Sequence, residues 1–217
     1  MKKKISDSIL RHYNELFKRY GTNHKSLGWL KGKQNFRFEI VSQIGSFNNT
    51  SVLDVGCGFG DFYDFLKKKK FNGNYLGVDI NPQFIEIAEK KFPKINFEVR
   101  DIQKNKLEKK FDWVVAIGIT NHATTYPHIK KMIEEMFRIS KKGIVIDFIS
   151  NYVDFKDKEI FYTSPEIMFK FAKKLSKRVT LRHDYMPYEF CLYLYKDDKK
   201  TTKNIFKGYQ NDKSKKI

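Results

Sequence analysis

A chain of 217 residues, 41% hydrophobic and 16% aromatic, can bury the core of one α/β domain and is too apolar for a disordered polymer. Its formal net charge of +18 invites a nucleic-acid partner, because basic side chains gain affinity for phosphates by releasing counterions. Lysine outnumbers arginine roughly fivefold, so the better phosphate fork is scarce, and solubility or an anionic small substrate explains the charge as well.

The N-terminus, MKKKISDSIL, is basic but turns to Ser6, Asp7 and Ser8 where a signal peptide needs an apolar run. No later stretch approaches the ~18 apolar residues of a membrane span, and a cytoplasmic protein is expected. Ile9, Leu10, Tyr13, Leu16, Phe17 and Tyr20 recur at helical spacing and predict a helix over 5–20, stopped by Gly21. A polar turn with Gly28 and Trp29 leads to a second helix over 32–44, ended by Gly45.

Alternation of strand and helix then begins. The run 51–55 is a short apolar strand entering the glycine loop 56–60, and 61–70 is an amphipathic helix. A second strand spans 74–79, and Pro82 sits in the first turn of the next helix, where proline is tolerated. Strands follow at 95–99 and 111–117, the latter apolar throughout as a central parallel strand should be. Helix 127–140 leads to a strand at 143–149, and Ser164, Pro165 and Glu166 open another helix. The last two strands, 178–184 and 189–195, lie too close for a helical crossover and must pair antiparallel. Beyond 196 the chain is rich in Lys, Asp and Thr and reads as a basic tail.

A strand ending in a glycine turn that opens a helix is a nucleotide-binding arrangement, since glycine lets the backbone approach a ligand closely. Here the spacing is G-x-G-x-G over Gly56, Gly58 and Gly60, with Asp54 before it and Asp61 after it. Flanking carboxylates repel a pyrophosphate, whereas S-adenosylmethionine carries an ammonium and a sulfonium and is attracted. Asp79 ends the second strand, placed to accept both ribose hydroxyls, with Ile80 beside it. The alternative for Asp79 is a helix cap, a role that Asn81 can take instead. Asp101 suits the adenine amino group and Ile102 the ring face; the competing reading pairs Asp101 with Arg100. Ile117 and Gly118 reach the carboxyl edge of the sheet, where ligands of open α/β sheets sit.

Few residues qualify as a base. His122, after the fourth strand, is a candidate to deprotonate a hydroxyl, and Tyr185 is a candidate acceptor-pocket or catalytic residue. Trp29, Gln34 and Arg37 precede a fold that does not need them and are expected to contact the cofactor, Arg37 through its carboxylate. The competing reading of Arg37 is a surface ion pair. His12, His24 and His128 are scattered, and Cys57 and Cys191 stand alone, so no metal is expected.

Residues 52–60 (VLDVGCGFG), 77–79 (GVD), 100–102 (RDI) and 111–115 (FDWVV) together resemble the class I S-adenosylmethionine-dependent methyltransferases over about residues 50–195. The resemblance implies an α/β three-layer sandwich with a seven-stranded, mostly parallel sheet whose last strand is antiparallel. It assigns Gly56 and Gly58 to the methionine portion of the cofactor and Asp79 to the ribose. Two flanking segments, 27–38 and 182–195, are similar to a narrower bacterial subfamily of small methyltransferases found near surface-polysaccharide and secondary-metabolite genes. That implies a small-molecule acceptor.

The organisation expected is a helical lid over 1–49, a methyltransferase domain over 50–196 and a tail over 197–217. Gly118-Ile-Thr-Asn121 stands where adenine-N6 and glutamine enzymes carry Asn/Asp-Pro-Pro-aromatic, and the Pro-Cys nucleophile of cytosine-C5 chemistry is missing. The function expected is O- or N-methylation of a small polar, anionic metabolite such as a nucleotide-linked or phosphorylated sugar. The alternatives are an RNA methyltransferase using the basic surface and a non-catalytic cofactor-binding protein. The partner expected is therefore a small molecule, not nucleic acid or membrane.

Overall fold

The computed structural model describes residues 5–28, 33–122 and 124–196. Strands β1 (Ser51–Val55), β2 (Asn74–Asp79), β3 (Asn96–Val99), β4 (Phe111–Ala116) and β5 (Ser140–Ile149) run parallel. With β6 (Arg178–Met186) and β7 (Glu189–Tyr195) they form one sheet in the order β3-β2-β1-β4-β5-β7-β6. β7 inserts between β5 and β6 and is antiparallel to both. Only Pro187 and Tyr188 join β6 to β7, too short a link for anything but a hairpin.

Among the described residues six α-helices accompany the sheet: α1 (Ile5–Tyr20), α2 (Lys33–Val41), α3 (Asp61–Lys68), α4 (Pro82–Lys91), α5 (Tyr126–Ile139) and α6 (Pro165–Leu175). Alternate residues of the central strands face opposite layers. Val52, Trp113, Val115 and Val145 pack with Phe38 of α2, Phe62 and Phe65 of α3 and Ile85 of α4. Leu53, Val114, Ala116 and Ile144 pack with Ile129, Ile133 and Met136 of α5 and Met168 of α6. Burial on both faces is why these strands read as continuous apolar runs. The result is the expected three-layer sandwich.

Side-chain caps set where the helices start. Asn81 accepts from the Gln83 N–H at 3.0 Å ahead of α4, and Ser164 accepts from the Ile167 N–H at 3.2 Å ahead of α6. Each such cap is worth about 1 kcal/mol, and proline follows in the first turn in both cases. Most boundaries fall within two residues of the sequence expectation, and two differ by three. α2 ends at Val41 and passes into a 3₁₀ turn, Ser42–Ile44. β5 starts at Ser140, where it pairs with Phe111; the exposed Lys141 and Lys142 disguise this start as loop.

Strand order reverses between β1 and β4, which opens a crevice at their carboxyl ends. α1 lies over this crevice. Its pattern is strongly amphipathic, yet none of its residues is fully buried. Among the described residues no helix is long and apolar enough to cross a membrane.

Candidate cofactor-binding site

The glycine loop connects β1 to α3 and is pinned to the neighbouring strand. The N–H groups of Gly56 and Cys57 donate to the Val78 carbonyl at 2.7 and 3.1 Å. Gly56 has φ +75°, and a Cβ there would lie 2.3 Å from Cγ2 of Ile119, so both conformation and space require glycine. Gly58 has φ +53°, and a Cβ would meet Leu27 at 2.9 Å. The backbone therefore comes close to whatever occupies the crevice.

Carboxylates surround this loop. Asp79 accepts from the Gly58 N–H at 3.0 Å through one oxygen and from the Asn81 N–H at 2.9 Å through the other. Burial pushes the Asp79 carboxyl up to about 6, opposed by these N–H donors. Asp54, 2% exposed, accepts from the Tyr75 hydroxyl at 2.5 Å. Burial pushes it up to about 7; the Tyr75 bond opposes this, while Asp79 and Asp61 add to it. Asp101 takes the Ser6 hydroxyl at 2.7 Å and the Gln103 N–H at 3.0 Å. Burial works against its charge, but these donors and Lys104 outweigh it and hold the carboxyl below its usual range. Asp61, at the start of α3, accepts from Gln34 at 3.2 Å and from Lys91 at 2.5 Å.

One cavity gathers most of the residues singled out in the sequence. Asp54, Gly56 and Gly58 from the first strand and loop line it, with Asp79 and Ile80 after β2, Asp101 and Ile102 after β3, and Ile117 and Gly118 after β4. Gln34 reaches it from α2. Among the described residues four carboxylates line this space with a single guanidinium, that of Arg100, which is paired with Glu98 at 2.8 Å. Such a lining receives cations and repels a pyrophosphate.

Sequence reasoning expected a lid over 1–49 but singled out none of its α1 residues. Ser6, Ile9, Leu10 and Tyr13 of α1 line the cavity opposite the loop, and Asn14 accepts from the Asn81 amide at 2.9 Å. The helical spacing of these residues was visible, but not which of them face the cavity. Burial and the Asp79 charge keep the Tyr13 phenol protonated, far above its ordinary value.

Arg37, Tyr185 and His122 stand outside the cavity lining. Arg37 is absent from the cavity lining; its Nε donates to Glu189 at 2.6 Å, its Nη2 also bonds Glu189, and Asp147 lies 3.8 Å away. Arg37 is 9% exposed, a buried ion pair where a surface one was the competing expectation, and a buried guanidinium is drawn to the buried acids. Asp147 in turn accepts from the Gly118 N–H at 2.6 Å, and burial pushes its carboxyl up to about 6, opposed by Arg37. Tyr185 packs against Phe36 at 6.0 Å, outside the lining, and its phenol is held well above its usual value by burial and by Asp147. His122 is also outside the lining, at the rim, stacked on His12. Trp29 lies outside the described residues.

Residues 52–143 match the methyltransferase-domain family. Rv1506c of Mycobacterium tuberculosis, a methyltransferase by assignment, is 29% identical over 157 residues, covering 67% of this chain and 93% of the relative. Malonyl-[acyl-carrier protein] O-methyltransferase 1 of Ilyobacter polytropus is 29% identical over 107 residues, 48% of this chain and 40% of that protein. Magnesium protoporphyrin IX methyltransferase of Synechocystis PCC 6803 with bound S-adenosylhomocysteine superposes with a TM-score of 0.66 at 13% identity, covering 89% of this chain and all of that one. At that identity the likeness concerns the fold. The fold is that of the Rossmann-like, S-adenosylmethionine-dependent methyltransferases, and the match to the methyltransferase domain covers the strands and loops that line the cavity.

Proposed function

We propose that the chain transfers the methyl group of S-adenosylmethionine to a hydroxyl or amine of a small polar metabolite. The observation that carries this reading is a cavity in which the glycine loop and four carboxylates face the amphipathic helix α1. In this reading Gly56 and Gly58 approach the methionine portion, with Asp54 and Gln34 near its ammonium. Asp79 takes the ribose hydroxyls, Ile80 lies beside it, Asp101 takes the adenine amino group and Ile102 covers the ring. Ile117 and Gly118 close the side next to β4. The helices α1 and α2 form the lid, and the sheet with α3 to α6 forms the catalytic domain. The sulfonium supplies the activation, so the protein has to shield it from water and align the acceptor atom about 3 Å from the methyl.

The acceptor we infer is a nucleotide-linked or phosphorylated sugar. Its anionic end stays outside the acidic cavity, in keeping with the chain's formal net charge of +18. His122 accepts the proton of the attacking hydroxyl, a contribution typically worth 10²–10⁴-fold in rate. That the Synechocystis protein is named for a small-molecule acceptor supports the same class. The net charge favours a second reading, RNA methylation, and one experiment separates the two. The purified chain is incubated with methyl-labelled S-adenosylmethionine and nucleotide sugars, phosphorylated metabolites or total RNA. Label in the first two pools is the expected result; label confined to RNA would replace this acceptor class with the other.

A further inference from the structure

We propose that His12 and His122 together form the acceptor end of the active site, and that α1 completes this end only when it lies closed over the cofactor cavity. The proposal rests on the methyltransferase reading above and adds His12, a residue of the lid, to its chemistry.

The two imidazoles stack across the joint between α1 and the segment after β4, with centroids 4.3 Å apart and planes at 25°. His122 Nδ1 lies 3.1 Å from the Glu159 carbonyl oxygen. A carbonyl only accepts, so this nitrogen carries the hydrogen and Nε2 keeps the lone pair that takes up a proton. The backbone thereby fixes the tautomer a general base needs. His12 Nε2 is buried and has no hydrogen-bond partner, and the same holds for Oγ1 of Thr124, two residues beyond His122. Buried polar atoms without partners are rare, and a ligand group is one thing that satisfies them.

Tyr13 links the pair to the cofactor. Its ring lines the cavity and meets His12 edge-on at 5.2 Å and His122 at 6.4 Å, so the imidazoles stand one ring away from the cofactor space. The charged and titratable groups around His122 are His12 and Tyr13 from α1, and Asp157 and Glu159 from the segment ahead of α6. Burial first and His12 second hold His122 below the usual histidine range, and the two acids oppose this without reversing it. It is neutral at pH 7, as a base must be.

The acceptor group that fits is an uncharged hydroxyl that donates to His122, with a second polar group reaching His12 Nε2. Its oxygen forms a bond to the methyl carbon while the S–CH3 bond breaks, leaving that electron pair on sulfur as the thioether product. The hydroxyl proton passes to His122 Nε2.

The test uses the full chain with ¹⁵N-labelled histidine and saturating S-adenosylhomocysteine, followed by NMR from pH 4.5 to 8. The expected result is a His122 in the Nδ1–H tautomer whose midpoint lies below the ordinary histidine value and rises in His12→Phe. A midpoint that His12→Phe leaves unmoved, or the opposite tautomer, overturns the pair. With the acceptor found by label transfer, His12→Phe raises its KM about tenfold while the KM of S-adenosylmethionine stays unchanged. His122→Gln lowers kcat by about 10²–10⁴-fold. Equal losses in both KM values would make His12 a packing residue only. Calorimetry on the same samples keeps the two claims apart: loss of S-adenosylhomocysteine binding in the wild type ends the methyltransferase reading, whereas intact binding with unlinked histidines ends only the pair.

Discussion

Asp79→Asn separates the structural from the ligand-binding work of one carboxylate. The two oxygens of Asp79 accept from Gly58 N–H and Asn81 N–H at 3.0 and 2.9 Å. An amide offers one oxygen, so one of these donors loses its acceptor. The loss of a charge-assisted bond is worth about 1.5–3 kcal/mol. At about 2–4 °C per kcal/mol for a chain of this size, the ligand-free melting temperature should fall by about 3–12 °C. If the carboxylate also holds the ribose, a second bond of the same kind disappears on binding, and the dissociation constant for S-adenosylhomocysteine should rise about 10–150-fold. Both quantities are read at pH 8 by circular dichroism melts and titration calorimetry. Because burial raises the folded Asp79 carboxyl to about 6, ionising it costs the wild type stability as pH rises, so the variant's melting-temperature deficit should narrow from pH 5 to pH 8 while its affinity deficit widens. A lower melting temperature with unchanged affinity at pH 8 would refute the ribose assignment and leave Asp79 as a brace for the glycine loop.

Three further outcomes follow from the geometry. Gly56→Ala places a Cβ 2.3 Å from Ile119 at a φ of +75°, which costs about 1–2 kcal/mol in backbone strain alone; calorimetry should show weakened S-adenosylhomocysteine binding, and wild-type affinity would mean the loop does not approach the ligand. Arg37→Met leaves Glu189 and Asp147 buried without their guanidinium, and breaking such a pair costs about 3–5 kcal/mol in urea unfolding; a change below about 0.5 kcal/mol would show that the ion pair contributes nothing. The pH dependence has a definite sign: Asp79 and Asp54 titrate near about 6 and about 7, so binding of the ammonium-bearing ligand should tighten as pH rises through that window. Asp54→Asn should then raise ligand-free stability relative to the wild type more at pH 8 than at pH 5. This is because a carboxyl with a raised folded value loses stability as it ionises.

The glycine loop and its acids were legible because their chemistry is local. Gly56, Gly58, Asp79 and Asp101 each stand at a strand end, and a parallel sheet brings all strand ends of one direction to a common edge. The hairpin of β6 and β7 was legible for an equally local reason, the shortness of its link. Arg37 was not, since its partner Glu189 is 152 residues away and nothing in the spacing announces it. The apolar face of α1 was plain in the sequence, but a periodicity reports that a face will be covered and not by what. His12 was set aside for want of ligand spacing, and its stacking on His122 depends wholly on where α1 docks.

The central claim is that this crevice receives a cationic sulfonium cofactor and not a dinucleotide. Titration calorimetry of the full chain at pH 8 with S-adenosylhomocysteine and, separately, with NAD tests it most directly. One site for S-adenosylhomocysteine and no heat from NAD is the predicted result. Saturable NAD binding with no response to S-adenosylhomocysteine would contradict the account, because four carboxylates around the glycine loop should repel a pyrophosphate.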